Sequence, residues 1–485
     1  MVDNGQVRAS GTPHVVVVGG GIAGLAAAFS LRNEPVRVTV LEGSSRLGGK
    51  LAVSEVAGVP VDEGAEATYI YRPKTTGLIK DAGLGDQVAS VGITATAIWT
   101  RNQLRPLPGR QFMGVPSDMD ELARSGVLSA DGVARARDDL QLPSTGRNGD
   151  VSVASYVGAR LGRDVVDRLV DPFLAEVCSG RAEELSFEAM LTPLANASRR
   201  FSSLAQAAGS LLPPPKPAGQ EVPPGVATLT GGLGTLPPVL VEAVLASPGA
   251  AVRTGAVVRE LARAEHGWRL TVGSAADPEY VAADAVIVAA PAGAAGRLLA
   301  GVPGAAPAAA RLAEVPYASL VTVTLAYPRQ AFPGGLARHG YCGYRVPAVD
   351  GRKGKAVTFS SVKWPHLAGE VEIVRCSLGR IGEEDLLERD DADLAALAAS
   401  ELAEATGAVG APVATRVTRW ADALPQYTVG HLDRVAQIRA CVAAQPGLAV
   451  CGALYDGVGV GTSVASARKA ADQVLASLRR DSTAA

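Results

Sequence analysis

The stretch HVVVVGGGIAGLAAAFSL, residues 14–31, decides how this chain begins to fold. Its β-branched run His14–Val18, stopped by glycine, reads as a strand buried on both faces of a parallel sheet. The small residues 22–32 then read as a helix, and VRVTVL at 36–41 as a second strand. Together these make one βαβ unit. The connecting turn spells Gly19-x-Gly21-x-x-Gly24, and Glu42 closes the second strand, 18 residues after Gly24. In that setting Gly19 permits the tight turn, Gly21 lets a pyrophosphate approach the backbone, and Gly24 lets helix and strand pack closely. The main-chain N–H groups around Gly20, Ile22 and Ala23 then face phosphate charge at a helix N-terminus. Glu42 is expected to accept hydrogen bonds from ribose hydroxyls.

Residues 15–31 carry no charge, so the same letters could describe a short membrane span or a signal sequence. Four glycines interrupt the run and no basic cluster precedes it, which favours buried strand, turn and helix. No other stretch reaches 18 uninterrupted apolar residues. A cytoplasmic protein without a transmembrane segment is expected, with peripheral membrane contact left open.

The 485 residues exceed what one core usually holds, so two or three domains are expected. Lys and Arg number 46 against 48 Asp and Glu, a net charge of −2 that argues against a nucleic-acid partner. With 47% hydrophobic and 19% charged residues the chain is built to bury a core. The five cysteines are scattered without a C-x-x-C pair and there are five histidines, which argues against a disulfide framework or a metal centre.

Farther along, residues 78–91 suggest a short helix and turn, 97–107 a hairpin, and 117–210 a helical block. Within that block 155–174 shows helical spacing at Val157, Leu161, Val165 and Leu169. The segment 211–225 is Pro-rich and reads as a loop. Strands follow at 251–261, 268–273, 284–291, 318–327 and 355–378, an amphipathic helix at 393–407, a buried strand at 448–452 and a closing helix at 463–478.

After Glu42 come Gly43-Ser44-Ser45-Arg46-Leu47-Gly48-Gly49-Lys50, and farther on Val61-Asp62-Glu63-Gly64-Ala65-Glu66-Ala67. The first fits E-x-x-x-R-x-G-G, in which Arg46 can bring a cation to a diphosphate while Gly48 and Gly49 let the main chain pass. Both segments resemble signatures of the amine-oxidase-like flavoproteins. The resemblance implies FAD rather than NAD, with Gly64, Ala65, Glu66 and Ala67 skirting the flavin. No second G-x-G-x-x-G with a following acid is visible, so oxygen or another diffusible acceptor is expected as the oxidant rather than a pyridine nucleotide.

Two distal stretches narrow the family. Pro425-Gln426-Tyr427-Thr428-Val429-Gly430-His431 and Tyr455-Asp456-Gly457-Val458-Gly459-Val460 resemble elements of the porphyrinogen oxidases, as do Phe359-Ser-Ser-x-Lys363-Trp-Pro365 and Gly231-Gly-Leu-Gly234. The likeness spans roughly 14–478. It implies that Ala453, Val458, Gly459 and Val460 line the FAD, that Val258 meets the adenine, and that Trp420 lies near the isoalloxazine. His431 is read as a structural hydrogen-bonder in preference to a proton carrier.

The resemblance further implies a six-electron oxidation of coproporphyrinogen III to coproporphyrin III with release of hydrogen peroxide, in haem biosynthesis. Ferrochelatase is the partner it suggests. The competing readings are a protoporphyrinogen IX oxidase, a divergent flavin oxidase of amines or N-heterocycles, and a flavin-binding scaffold without turnover. Four propionates call for cations, and Arg72, Arg105, Arg345, Lys363 and Arg380 are candidates, with Arg72, Arg345 and Lys363 foremost. No catalytic base is assigned. The family usually has two glycines where Ala175 and Glu176 stand, an aromatic at Cys178 and arginine at Thr230.

The expected fold is α/β: a Rossmann-like FAD-binding domain, a mixed-sheet substrate domain and an all-α insertion. The FAD domain is expected from 1–80, 226–300 and 415–485, the mixed sheet from 81–116 and 301–414, and the helices from 117–210. The main pocket is expected between the last two.

Overall fold

A computed structural model describes residues 11–69, 73–144, 146, 149–214 and 225–484. Arg72 and most of the Pro-rich segment 211–225 lie outside the described residues. His14–Val18 forms the centre of a five-stranded sheet whose order is Ala251–Arg253, Arg37–Leu41, His14–Val18, Ala285–Val288 and Leu448–Val450. All four pairings are parallel. The helix Ile22–Leu31 covers one face, where nearly every residue from Ala23 to Leu31 is buried. It packs against the closing helix Val460–Ala484 and against Leu236–Leu245. That enclosure explains the uncharged run: the helix is apolar all round because protein surrounds it. The opposite face meets Ala292–Ala300, Ala306–Ala313 and His431–Ala443.

The second unit is a seven-stranded sheet ordered Ala414–Pro425, Tyr317–Pro328, Val371–Leu378, Gly354–Phe359, Gly343–Arg345, Ala97–Thr100 and Gln103–Pro106. Only the contact of Gly343–Arg345 with Ala97–Thr100 is parallel. The expected hairpin near 97 turns on Arg101 and Asn102, both at positive φ (51° and 57°), a two-residue loop matched to strand twist. The helix Asp391–Thr406 lays Leu394, Ala398 and Leu402 on the sheet and stops at Gly407, φ 72°.

The strand Ala414–Pro425 pairs along Tyr317–Pro328 in this second sheet. The chain therefore rejoins the parallel-sheet unit after Pro425 and not at the expected 415. The cause is length: twelve extended residues on each strand satisfy one long antiparallel ladder.

The block 117–210 is helical, with its own core of Leu122, Val157, Leu161, Leu169, Leu174 and Leu194 among others. The stretch 155–174 with its helical spacing is divided into successive helices. Val153–Leu161 stops at Gly162, φ 87°, where a Cβ would come within 2.7 Å of Arg135 Cγ. The chain then winds through a π turn, Val166–Val170, into Asp171–Cys178. Pro172 has no N–H to give to the preceding turn, and the wider turn absorbs that loss. Among the described residues no helix is long and apolar enough to cross a membrane.

Candidate functional site

The first turn is held by close contacts that only glycine permits. Gly19 has φ 109°, and a Cβ on Gly24 would lie 1.8 Å from the Gly19 carbonyl oxygen. Gly24 thus lets the helix Ile22–Leu31 sit directly on the turn. The helix begins at Gly21 with no side chain capping it and no acid in its first turn. The loop after the second strand runs alongside: Gly48 N–H donates to Gly20 O at 2.8 Å, and Gly21 bridges to Gly48. A Cβ on Gly49 would meet Gly21 Cα at 3.1 Å. The two glycine loops form a cradle of bare backbone in front of an uncapped helix N-terminus. This is the environment that binds a diphosphate.

Glu42 is placed at the edge of that cradle. Its carboxylate accepts from Gly20 N–H at 2.6 Å and Ser44 N–H at 2.8 Å. Two N–H donors leave the carboxylate, which shapes the loop, with further acceptor capacity of the kind a ribose needs. Gly43 lies under Val257, whose Cγ2 would be 3.5 Å from a Cβ there. The main chain 253–256 is tied to Glu42 and Ser44, which brings Val258 to the same end. Arg46 differs from expectation in its commitments: its guanidinium donates to the carbonyls of Leu47 (3.0 Å), Gly49 (2.5 Å) and Leu51 (3.3 Å). It braces the loop from within, and its exposed cation stays beside the cradle.

The segment Val61–Ala67 continues the cleft. Ala65 N–H donates to Lys50 O at 3.1 Å, and a Cβ on Gly64 would meet that same oxygen at 1.9 Å and Trp420 Cζ2 at 3.2 Å. Trp420 donates its Nε1–H to Glu63 O at 3.3 Å. Burial pulls the Lys50 ammonium down from its ordinary value. Trp420 is thereby fixed against the segment expected to border the flavin.

Sequence reasoning missed the ion network behind this segment. Lys363 donates to Glu66 at 2.5 Å, and Arg375 reaches the other carboxylate oxygen at 3.5 Å and the Gly64 carbonyl at 2.5 Å. Burial opposes the charge on Glu66, but Lys363 and Arg375 outweigh it and hold its carboxyl below the usual range. Arg416 pairs with Glu63 at 3.0 Å, and Thr418 donates to it at 3.1 Å. Asp62 accepts from Leu233 and Gly234 N–H at 2.9 Å each, while burial pushes its carboxyl up to about 6. The legible signal for Arg375 was the one charge in the run IVRCSL, residues 373–378.

The closing loop comes back to the first helix. A Cβ on Gly452 would lie 4.0 Å from Ala23 Cβ, so Ala453 and Val458–Val460 stand at the same end of the parallel sheet as the cradle. The P-Q-Y-T-V-G-H turn holds this loop. The Tyr427 hydroxyl donates to Ala453 O, and the ring of Tyr427 stacks on His431 with centroids 3.9 Å apart. His431 Nε2 contacts Leu454 O at 3.0 Å. Burial lowers the imidazole to about 4, so it is neutral at pH 7 and serves as a hydrogen-bonding support.

The cationic candidates divide. Arg345 pairs with Glu176 at 2.5 Å and stacks on Phe173 at 5.3 Å. Lys363 is held by Glu66, as described. Arg380 does not fit a ligand role: its side chain is 1% exposed and its guanidinium donates to the carbonyls of Val346, Arg352 and Gly354. Lys355, buried beside it, donates to Ser179 Oγ and to Gly379 O at 2.9 Å, and burial lowers its ammonium to about 7. Arg105 lies over Gly126, where a Cβ would meet its Nη1 at 2.7 Å.

Of the sequence departures near 175–178, only Glu176 is exposed. Ala175 and Cys178 are buried, and the Cys178 thiol donates to Leu174 O at 3.3 Å. Thr230 spends its hydroxyl on Gln87 O at 3.1 Å. A groove of about 780 Å³ opens at the nucleotide end, between the Ser45–Val53 loop and the helix Leu236–Leu245, away from the expected place between helical block and mixed sheet. Among the described residues no group of three or more His, Cys, Asp or Glu is arranged to hold a metal ion.

These features fit a dinucleotide cofactor of the FAD type. The comparisons agree. The chain is 36% identical over 468 residues to coproporphyrinogen III oxidase of Mycobacterium tuberculosis, covering 95% of this chain and 97% of that one. It is 28% identical over 477 residues to coproporphyrinogen III oxidase of Bacillus subtilis, covering 96% and 98%. A solved protein of Exiguobacterium sp. 255-15 superposes with a TM-score of 0.82 at 28% identity, covering 98% of this chain and 100% of that one. Cyclohexylamine oxidase of Brevibacterium oxydans shares the fold, with a TM-score of 0.70 at 16% identity over 96% of this chain and all of that one. The family described as flavin containing amine oxidoreductase matches residues 22–475, and the chain belongs to it.

Proposed function

We propose that this protein is an FAD-dependent oxidase that converts coproporphyrinogen III to coproporphyrin III. Three oxygen molecules accept the six hydrogens removed and leave as three molecules of hydrogen peroxide. The observation that carries the substrate class is the charge row Arg345, Glu176, Lys363, Glu66 and Arg375. It runs from the helical block to the flavin-bordering segment with three cations against two anions. A net positive, partly desolvated row of side chains suits a ligand with several carboxylates. The relatives named as coproporphyrinogen III oxidases support the same reading.

Bound FAD supplies the two-electron acceptor and the route to oxygen. The chain's own residues do the rest. Gly19–Gly24, Gly49 and the braced Arg46 loop receive the diphosphate, Glu42 the ribose, and the 256–258 segment the adenine. Gly64, Ala65, Glu66 and Ala67 border the ring on one side, with Trp420. Ala453 and Val458–Val460 close the other side, fixed by Tyr427 and His431. In this division the parallel-sheet unit binds the cofactor, and the mixed sheet with the helical block 117–210 bounds the substrate. Arg345 and Lys363 orient carboxylates; Arg72 remains a third candidate. The protein needs no strong base, because pyrrole N–H protons can leave to solvent or be relayed. A cytoplasmic site of action and hand-over of product to ferrochelatase complete the reading.

Anaerobic mixing of the flavin-loaded protein with coproporphyrinogen III and with protoporphyrinogen IX tests it. Bleaching of the flavin band near about 450 nm by coproporphyrinogen III, followed by a fluorescent porphyrin on admitting air, is expected. Faster bleaching by protoporphyrinogen IX favours the two-carboxylate substrate. No bleaching by either overturns the proposal.

A further inference from the structure

The Arg345–Glu176 pair has an uneven exposure. The Arg345 side chain is 13% exposed and the Glu176 side chain 38%. Arg345 uses its Nε–H on Glu176, lies on the Phe173 ring, and keeps Nη1 buried without a hydrogen-bond partner. Its position is set from below by the strand Gly343–Arg345, which pairs with both Gly354–Phe359 and Ala97–Thr100. Glu176 sits on the helix Asp171–Cys178, which packs over two of those strands. Its charge also acts on Lys363 and on the Cys342 thiol. Glu176 is therefore paired directly with Arg345 and acts on Lys363 only through its field, while Glu66 and Arg375 complete the row.

A fixed guanidinium with one N–H pair unspent, closed by a more exposed carboxylate on a rotatable side chain, is a site that another carboxylate can enter by exchange. We propose that Glu176 is a specificity-determining residue that stands in for a substrate carboxylate on Arg345. It holds the guanidinium neutralised in the empty cleft and is displaced when a carboxylate side chain of the ligand arrives. This rests on the carboxylate-bearing substrate class argued above. The exchange is close to isoenergetic for one ion pair, so a ligand with a single carboxylate gains little from it. Lys363 is already paired with Glu66, so a ligand with several carboxylates gains through the contacts its other carboxylates make outside this exchange. The internal carboxylate thus lowers affinity for all acids and discriminates in favour of those with several.

Equilibrium binding of coproporphyrin III and its tetramethyl ester to the flavin-loaded protein, read by porphyrin absorbance, tests this at low and high salt. Glu176→Gln and Glu176→Ala are expected to bind the acid about fivefold tighter than wild type at low salt, the size of one partly screened ion pair, with the ester unchanged. Arg345→Gln is expected to bind the acid more weakly, and Glu176→Asp to stay near wild type. Wild type that prefers acid to ester, with neither Glu176 variant tightening, overturns the stand-in role alone. Wild type that binds acid and ester equally overturns the substrate reading with it.

Discussion

Gly24 and Gly19 touch so closely that a methyl group on the former would fall 1.8 Å from the carbonyl oxygen of the latter. No rotamer relieves this contact, because both atoms belong to backbone positions fixed by the strand His14–Val18 and the helix Ile22–Leu31. Gly24→Ala must push the helix off the turn. Overpacking of this kind costs about 1–3 kcal/mol and here also displaces the phosphate-facing N–H groups. A lower unfolding temperature together with a lower flavin-to-protein absorbance ratio is expected. Unchanged flavin content in a well-folded Gly24→Ala protein contradicts the cradle.

Glu42→Leu removes the acceptor that Gly20 and Ser44 N–H share. It also removes the carboxylate proposed to receive the ribose. Flavin retention through gel filtration is expected to fall several-fold, and Glu42→Gln, which keeps one carbonyl acceptor, to lie between. Equal retention in all three proteins excludes Glu42 from the nucleotide end.

Glu66 balances Lys363 and Arg375 beside Gly64. Glu66→Gln takes the directly paired carboxylate from two largely buried cations, a loss of about 3–5 kcal/mol in comparable pairs. Urea denaturation is the direct measurement. Adding Lys363→Met to Glu66→Gln is expected to return part of that loss, since one uncompensated cation disappears. Strict additivity of the two single changes disproves the coupling.

His431 makes stability depend on pH in a defined direction. Its folded-state value is about 4, against 6.5 unfolded, because burial penalises the imidazolium. Between those values the unfolded chain binds the extra proton and the folded one does not, so stability falls as pH drops from 6.5 towards 4. The contribution is complete above pH 6.5 and at most about 3 kcal/mol is lost. Unfolding free energies of wild type and His431→Gln across that window, each relative to its own value at pH 7.5, are expected to diverge by this slope. Parallel curves show that His431 does not titrate there.

The nucleotide half of the site was legible in the letters because local rules govern it. A strand, a G-x-G-x-x-G turn and an uncharged helix leave one workable geometry, and E-x-x-x-R-x-G-G follows within reach of the same turn. The helix His431–Ala443 was equally legible in the spacing of Val435, Ile438 and Val442, yet the P-Q-Y-T-V-G-H motif drew attention to its turn instead. The carbonyl partners of Arg46 depend on how the 46–51 loop coils, which spacing does not encode.

The sequence by itself determined the parallel-sheet unit, the helical block and the dinucleotide cradle, since each rests on contacts between residues near in the chain or on a repeating apolar face. Only the tertiary structure decided which charges meet. Glu66 finds Lys363 across 297 positions, and Arg345 finds Glu176 across 169. Such pairs are set by how sheet and helices stack, and a desolvated ion pair leaves no mark on local propensity. For the same reason Arg380 reads as a ligand candidate in one dimension, while in three its guanidinium is spent on three backbone carbonyls.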